Sequence, residues 1–254
     1  MCLILFAYKT DPRYQLIVAA NRDEFYDRPT RRLDYWPEAP RLLAGQDLEQ
    51  GGTWLGITRC GRFAAITNVR QGLNPSSKNL KSRGHLPLDF LLSDQAPLSY
   101  LETLQQQADD YAGYNLLLGD RDGLYYGSNR NQQSPQQLTP GVYGLSNACL
   151  NTPWPKVAEG AEALQQLIDD QRTAPEPLLQ LLQQRDTPAD QQLPDTGVGL
   201  EWERRLGPRF IESERYGTRS SLVLLSEYDG DSQIHEQSYT PHWEKPKSYY
   251  FSTE

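Results

Sequence analysis

Two apolar runs decide the fold: CLILFAY at residues 2–8, and YQLIVAA at residues 14–20, which ends in Asn21-Arg22-Asp23-Glu24. The five residues between them, 9–13, are of turn-forming character. Two apolar runs joined by a short polar connection predict a β-hairpin. In a tight antiparallel hairpin, the polar end of the second strand lies beside the start of the first. The sequence therefore predicts that Asn21 to Asp23 lie close to Cys2.

Outward from this hairpin, strands and helices occur in separate groups. Residues 27–40 read as a loop, residues 185–216 as irregular, and an aromatic tail ends the chain. Segregated strands and helices favour an α+β fold over βαβ repeats. We predict one domain, residues 1–254, with two antiparallel sheets between helix layers, an αββα sandwich. The other predicted elements are strands at 53–59, 62–68, 114–118, 123–127, 141–145, 220–226 and 233–238, and helices at 86–92, 97–111, 155–169 and 176–184.

The bulk properties narrow the range of partners. The chain has 254 residues and a net charge of -8, and its mean hydropathy is -0.70. Excess acid opposes binding to nucleic acid, which needs clustered Lys and Arg. No apolar run approaches the roughly 20 residues of a membrane span, and the apolar start lacks the basic flank of a signal peptide. We therefore expect a cytoplasmic protein with no nucleic-acid partner and no stable membrane insertion.

Cys2 differs from Cys60 and Cys149 because of its position. The three cysteines have no CxxC spacing, so a zinc or redox motif is not predicted. If Met1 is removed, Cys2 carries both a thiol and a free α-amino group. The pKa of an α-amino group is about 7.7–8.0, so it can act as a base near neutral pH. The alternative interpretation is that Cys2 is simply the first inward residue of an edge strand.

Further polar residues stand at strand ends. Asp23 can hold the α-amino group, and Arg22 can lower the pKa of the thiol by its charge. Asn68 and Asn147 follow apolar strands, where their amides can stabilise an oxyanion. Arg219 opens the predicted strand 220–226, and a buried arginine there needs a carboxylate partner such as Asp23 or Glu24. The alternatives are a surface ion pair for Arg22 and Asp23 and turn residues for the asparagines.

A family resemblance emerges from motifs spread in order along the chain. The sequence is identified as a member of the NRDE family, also called the Transport and Golgi organization protein 2 family. The blocks that carry the resemblance are residues 20–25 (ANRDEF), 44–47 (AGQD), 51–56 (GGTWLG), 67–70 (TNVR), 82–84 (SRG), 114–116 (YNL), 145–147 (LSN), 152–157 (TPWPKV), 193–197 (LPDTG) and 216–221 (YGTRSS).

This family is similar to the cysteine branch of N-terminal-nucleophile hydrolases, which includes bile salt hydrolase, penicillin acylase and acid ceramidase. The resemblance implies the same αββα fold and a set of site residues. By that resemblance, Cys2 is the nucleophile and Asp23 the amine-binding carboxylate, with Arg22 beside it. Asn68 and Asn147 match the substrate and oxyanion asparagines, and Arg219 matches a strand arginine.

The resemblance also implies a function of another class. The family is associated with haem trafficking, with Golgi organisation and with lipid or acyl-CoA metabolism. Two hypotheses follow: a binding protein for haem or a small hydrophobic metabolite, and a Cys2-dependent hydrolase or acyltransferase that acts on a linear amide. Haem needs an axial ligand. His85, His235 and His242 are candidates without a surrounding motif, and the alternative is that each is an ordinary surface histidine.

Overall fold

The computed structural model describes residues 2–72, 80–131, 134–239 and 244–253. Within these residues, thirteen strands and five α-helices are present. The strands are β1 Cys2–Tyr8, β2 Tyr14–Phe25, β3 Thr30–Trp36, β4 Ala39–Asp47, β5 Leu55–Thr58, β6 Phe63–Asn68, β7 Tyr114–Gly119, β8 Leu124–Ser128, β9 Gln136–Gln137, β10 Gly141–Leu145, β11 Tyr216–Glu227, β12 Asp231–Ser238 and β13 Lys247–Ser252. The helices are α1 His85–Leu92, α2 Pro97–Gln105, α3 Pro155–Asp169, α4 Pro175–Leu181 and α5 Leu200–Leu206.

The chain divides into two compact units built from interleaved segments. The first unit comprises Met1–Asp27, Arg70–Leu73 and Pro140–Tyr250. The second comprises Arg28–Val69, Asn74–Thr139 and Phe251–Glu254. The assignment of residues 1–254 to one domain stays a prediction.

In the first unit, the predicted hairpin of β1 and β2 lies inside a six-stranded sheet. The strand order is β10-β1-β2-β11-β12-β13, so each hairpin strand has a partner on both sides. The connecting turn is closed by Asp11, whose Oδ1 accepts hydrogen bonds from the backbone N–H groups of Arg13 (2.8 Å) and Tyr14 (2.9 Å). Asp commonly stabilises turns in this way, because its side chain accepts hydrogen bonds from the backbone two or three residues later. Residues 3–8 are all buried, on both faces of the strand, which explains why the run is apolar without alternation.

Helices α3 and α4 cover one face of this sheet. Alternate residues of β1 point to that face, and the apolar stripe of α3 packs against them. The shared core is Leu3, Leu5, Ala7, Tyr14, Ile17, Ala19, Val157, Leu164, Ile168, Leu178, Leu181, Leu182, Val223 and Leu225.

The second unit is a seven-stranded antiparallel sheet with helices α1 and α2 on one face. Its strand order is β3-β4-β5-β6-β7-β8-β9. Its core contains Leu86, Phe90 and Leu91 of α1 together with Tyr100, Leu101 and Leu104 of α2. The predicted α+β class with two antiparallel sheets and helices on each is therefore confirmed.

Four sequence predictions are corrected. Residues 27–40, predicted as a loop, form β3 and the start of β4; the alternation is hidden by charged residues because β3 is an edge strand. Residues 97–111 do not form one helix, since backbone bonds from Gln106 and Gln107 to residues three positions earlier end α2, and a short 3₁₀ turn follows. Residues 185–216, predicted as irregular, contain α5. Strand β11 begins at Tyr216 and not at residue 220.

Among the described residues, the structure has no helix that is both long and apolar enough to cross a lipid bilayer.

Candidate active site

The β1–β2 register sets Cys2 directly opposite Arg22. Directly opposed residues of an antiparallel pair project from the same face of the sheet, so the thiol and the guanidinium share one face. Cys2 is half-buried and Arg22 is 6% exposed. The expectation that the polar end of the second run lies beside the start of the first is confirmed by this pairing.

The Cys2 thiol lies in surroundings that favour its neutral form. Burial raises the pKa of the thiol, the charges of Asp23 and Glu24 raise it further, and the charge of Arg22 opposes them. Burial disfavours any charged form in this way because water no longer solvates it. Since the thiolate is the nucleophile, reaction at Cys2 requires a base that removes the proton.

Asp23 is fixed by a chain of hydrogen bonds on the sheet. It is 1% exposed, and its Oδ1 accepts a hydrogen bond of 2.7 Å from the Thr218 hydroxyl. The Thr218 oxygen accepts in turn a bond of 2.9 Å from the backbone N–H of Ile211. Burial raises the pKa of the Asp23 carboxyl, while the charge of Lys156 and the Thr218 bond oppose that rise. The carboxylate is thus held in one orientation next to the start of β1.

Asn147 approaches Cys2 from the other side of β1. It follows β10, which pairs with β1 so that Leu145 lies opposite Ile4. The Ser146 hydroxyl lies 3.3 Å from the Cys2 carbonyl oxygen and 3.2 Å from Asn147 Oδ1. This bond holds the amide oxygen toward Ser146 and directs the amide NH₂ group away from it. The Asn147 side chain is buried, with 1% of its surface exposed.

Arg219 is the extra residue of a β-bulge in β11. Thr218 and Ser220 pair with consecutive residues of β2, which leaves Arg219 between them. Its Nη1 donates a hydrogen bond of 3.0 Å to the Phe25 carbonyl. Burial lowers the pKa of the guanidinium and the nearby charge of Arg22 lowers it further. Bulges commonly redirect a side chain next to an active site, and here the bulge brings Arg219 close to Arg22.

Comparison with known proteins assigns the chain to a family. The family model described as Transport and Golgi organisation 2 matches residues 1–241. The chain belongs to the Transport and Golgi organisation 2 family. The Transport and Golgi organization protein 2 homolog of Bos taurus is 40% identical over 262 residues, covering 94% of this chain and 93% of the relative. The homolog of Homo sapiens is 36% identical over 275 residues, covering 96% of each.

A solved structure is also similar to this member of the Transport and Golgi organisation 2 family. It is the Caenorhabditis elegans N-acylethanolamine-hydrolyzing acid amidase ortholog, with a TM-score of 0.46 and 11% sequence identity. The likeness covers 71% of this chain and 85% of that chain.

Asn68 lies in the second unit of this family member. It is the last residue of β6, where it pairs with Tyr114 of β7. The expectation that Asn68 ends a strand is therefore confirmed. Its contact with a substrate stays a prediction.

Lys156 was not assigned a role from the sequence, although it stands within the TPWPKV block of the Transport and Golgi organisation 2 family resemblance. It is 5% exposed, and its Nζ donates a hydrogen bond of 2.9 Å to the Leu206 carbonyl. Burial lowers the pKa of this amine to about 8, and the Asp23 charge opposes the shift. Helical spacing was a signal that could have found it, because Lys156 shares one face of α3 with Gly160, Leu164 and Ile168.

One of the described histidines, His235, does not fit the role of axial haem ligand. Both ring nitrogens of His235 are in hydrogen bonds, Nδ1 with Ser248 Oγ (2.7 Å) and Nε2 with Gln233 Oε1 (3.0 Å). His85 is exposed and its Nε2 lies 2.7 Å from the Gln50 carbonyl oxygen. His242 lies outside the described residues. In the part of the chain that the structure describes, no group of three His, Cys, Asp or Glu residues is arranged to hold a metal ion.

Proposed function

We propose that this chain is an N-terminal-nucleophile hydrolase or acyltransferase that uses Cys2 to cleave a linear amide. The observation that carries the proposal is the register of β1: Arg22 lies opposite Cys2 on β2, and Ser146 bonds the Cys2 carbonyl at the end of β10. Asp23 stands one residue beyond Arg22, fixed by Thr218. Strongly perturbed ionisable groups around a potential nucleophile are typical of active sites.

The reaction begins once Met1 has been removed. The α-amino group of Cys2, with a pKa of about 7.7–8.0, takes the thiol proton. Asp23 holds the resulting ammonium by charge. The sulfur attacks the amide carbonyl carbon, and the amide of Asn147 donates a hydrogen bond to the oxyanion. The carbon–nitrogen bond then breaks, the α-ammonium gives its proton to the leaving amine, and water or an acceptor resolves the thioester.

The test is intact-protein mass spectrometry of the natively expressed chain before and after treatment with a β-lactone, which acylates nucleophilic thiols. We expect loss of Met1 and one acyl adduct, mapped by peptide sequencing to Cys2. Cys60→Ser and Cys149→Ser should retain the adduct, and Cys2→Ala should lose it. A retained Met1, or a Cys2 that stays unmodified while the control thiols react, would reject the proposal.

The alternative candidate is a carrier of haem or a small hydrophobic metabolite. Its support is membership of the family together with the half-buried Cys2 thiol, since cysteine is one of the residues that can ligate haem iron. Titration with haem should then give a shifted Soret band with saturable binding, and Cys2→Ala should change the band. Titration without saturation would remove this candidate. The cytoplasmic location predicted from the sequence belongs to both candidates.

A further inference from the structure

Arg70, whose backbone contacts Asn147, forms a buried ion pair with Glu203. Arg70 Nη2 lies 2.9 Å from Glu203 Oε2, and the two side chains are 5% and 3% exposed. The Arg70 guanidinium also lies over the Trp154 ring, 4.8 Å from its centroid. All three residues belong to the first unit, and Trp154 directly precedes α3. Arg70 therefore connects α5 with the start of α3.

Glu203 is held in place from its other oxygen. Its Oε1 accepts hydrogen bonds from the backbone N–H of Thr196 (2.8 Å) and from the Thr196 hydroxyl (2.6 Å). Burial lowers the pKa of Arg70, and the Glu203 charge opposes that shift. Buried ion pairs are often no more stabilising than apolar residues of the same volume. A buried pair whose glutamate is also held at Oε1 by Thr196 is therefore better explained by what it positions.

The ion pair is connected to the nucleophile through the backbone. The backbone N–H of Arg70 donates a hydrogen bond of 2.8 Å to the Asn147 carbonyl. The neighbouring Ser146 hydroxyl lies within hydrogen-bond distance of two acceptors, the Cys2 carbonyl oxygen (3.3 Å) and Asn147 Oδ1 (3.2 Å). A continuous set of contacts thus runs from Glu203 through Arg70 and Asn147 to Cys2. Fixing the Arg70 side chain fixes the segment that holds the Asn147 backbone.

We infer that Arg70 and Glu203 are positioning residues, which hold the Asn147 amide where it meets the oxyanion formed at Cys2. The inference rests on the proposed function. Neither side chain contacts the reacting atoms in this scheme, since both act through the Asn147 backbone. A displacement of about 1 Å in such a group lowers the rate of reaction by ~10²-fold.

Two reactions of the Cys2 thiol distinguish a role in positioning the Asn147 amide from a role in stabilising the fold. Alkylation of Cys2 by iodoacetamide forms a carbon–sulfur bond, expels iodide and passes through no oxyanion. Acylation by a β-lactone forms a tetrahedral oxyanion, after which the ring carbon–oxygen bond breaks and the alkoxide takes a proton. Only acylation needs the Asn147 amide. The ratio of the acylation rate to the alkylation rate therefore reports on the oxyanion donors alone.

The experiment measures both rates in the full chain for the double variant Arg70→Met/Glu203→Leu, which leaves no buried charge unpaired. We expect the acylation rate to fall by about 10- to 100-fold, on the scale of a misplaced or lost oxyanion donor. The alkylation rate should stay within about 2-fold of the wild type because thiol ionisation is set by Cys2's own neighbours. Thr196→Val, which keeps the ion pair, should lower the same ratio less and remains informative if the double variant does not fold.

The matched control is Glu201→Gln, which breaks the exposed Arg205–Glu201 pair on the same helix α5. It should leave both rates unchanged. An unchanged ratio in a folded double variant and in Thr196→Val would overturn the inference while leaving the proposed function intact. A wild-type Cys2 that is alkylated but never acylated would overturn the proposed function, and the inference with it.

Discussion

Lys156 is an amine that the fold keeps away from water beside a carboxylate and a thiol. Its Nζ bonds a backbone carbonyl, and burial lowers its pKa to about 8. The groups whose charges act on it are Asp23 of β2, Cys2 of β1, Glu203 of α5 and Arg70. At neutral pH the amine is still mostly protonated and supplies a positive charge to Asp23. Above pH 8 that charge disappears from the site.

The stability of the chain should therefore depend on pH through Lys156. An unfolded lysine has a pKa of about 10.4, so between pH 8 and 10.4 the unfolded state binds more protons and stability rises with pH. Relative to Lys156→Met, we expect the free energy of unfolding of the wild type to increase by up to ~3 kcal/mol across that window. Urea unfolding at a series of pH values measures the difference. Parallel curves for the two proteins would contradict the expectation.

The hydroxyl oxygen of Thr218 should contribute to the stability of the fold because it bonds both Asp23 and Ile211. Thr218→Val leaves Asp23 Oδ1 and the Ile211 N–H without this partner, so we expect a loss of about 1–3 kcal/mol in the free energy of unfolding. The pKa of Asp23 should rise further, since the Thr218 bond holds it down. Thr218→Ser keeps the hydroxyl and is the control. Equal urea midpoints for the Val and Ser variants would argue against the bond.

At the scale of elements, α3 approaches the sheet closely because two glycines leave room for it. A Cβ on Gly160 would lie 2.8 Å from a methyl carbon of Leu5 on β1. A Cβ on Gly144 of β10 would lie 2.7 Å from Cγ1 of Val157 and 3.1 Å from its carbonyl oxygen. The first turn of α3 carries Lys156, so this close packing sets the depth of the amine in the site.

Gly160→Ala should therefore be destabilising, although Ala is normally the better helix residue by about 1 kcal/mol. Overpacking of this kind typically costs about 1–3 kcal/mol. Because the clashing atoms belong to Leu5, the double variant Gly160→Ala/Leu5→Ala should show coupling in a double-mutant cycle by thermal unfolding. Additive effects of the two changes would mean that the contact with Leu5 does not limit the approach of α3.

The elements that the sequence predicts well are those with strong apolar periodicity. Helix α3 matches the predicted residues 155–169, and the hairpin of β1 and β2 follows from its two apolar runs. Strand β3 was missed because its charged residues obscure the period of two, and α5 because it is short and lies between prolines and glycines. Local pattern carries little information about such elements, since their burial is decided by distant segments.

The residues of the candidate site also divide into those that local sequence pattern could bring together and those that it could not. Cys2, Arg22 and Asp23 could be brought together from the sequence because a hairpin is a local structure. Lys156, Arg70 and Glu203 could not, because their contacts join segments of the first unit that are distant in sequence. The bulge at Arg219 was also unpredicted, since it is visible only in the register with β2.

At the scale of the whole molecule, the first unit depends on both ends of the sequence. Strand β2 has β11 as one of its two partners, and β11 is itself paired on its far side with β12. Strand β13 lies at the edge of the sheet. Loss of β11 would therefore expose an interior strand, whereas loss of β13 would only move the edge.

Truncations should separate these two cases. A chain ending at residue 215 should fail to show cooperative unfolding, because β2 loses its pairing with β11. A chain ending at residue 246 should keep a cooperative urea transition and an iodoacetamide-reactive Cys2. Circular dichroism and mass spectrometry provide the two measurements. Folding of the shorter chain would show that pairing with β11 is not what holds the hairpin, and collapse of the longer one would show that the edge strand β13 is also required.

The central position of the β1–β2 hairpin also has a consequence for biosynthesis. Its two strands leave the ribosome before β10 and β11, which pair with its two edges and begin at residues 141 and 216. At a synthesis rate of about 5–20 residues per second, the hairpin waits roughly 10 to 40 seconds for β11. Unpaired apolar strands recruit other chains during such a delay, so the nascent protein should depend on chaperones. The thiol is thus made well before Asn147, and Thr218 reaches Asp23 only when most of the chain has been synthesised.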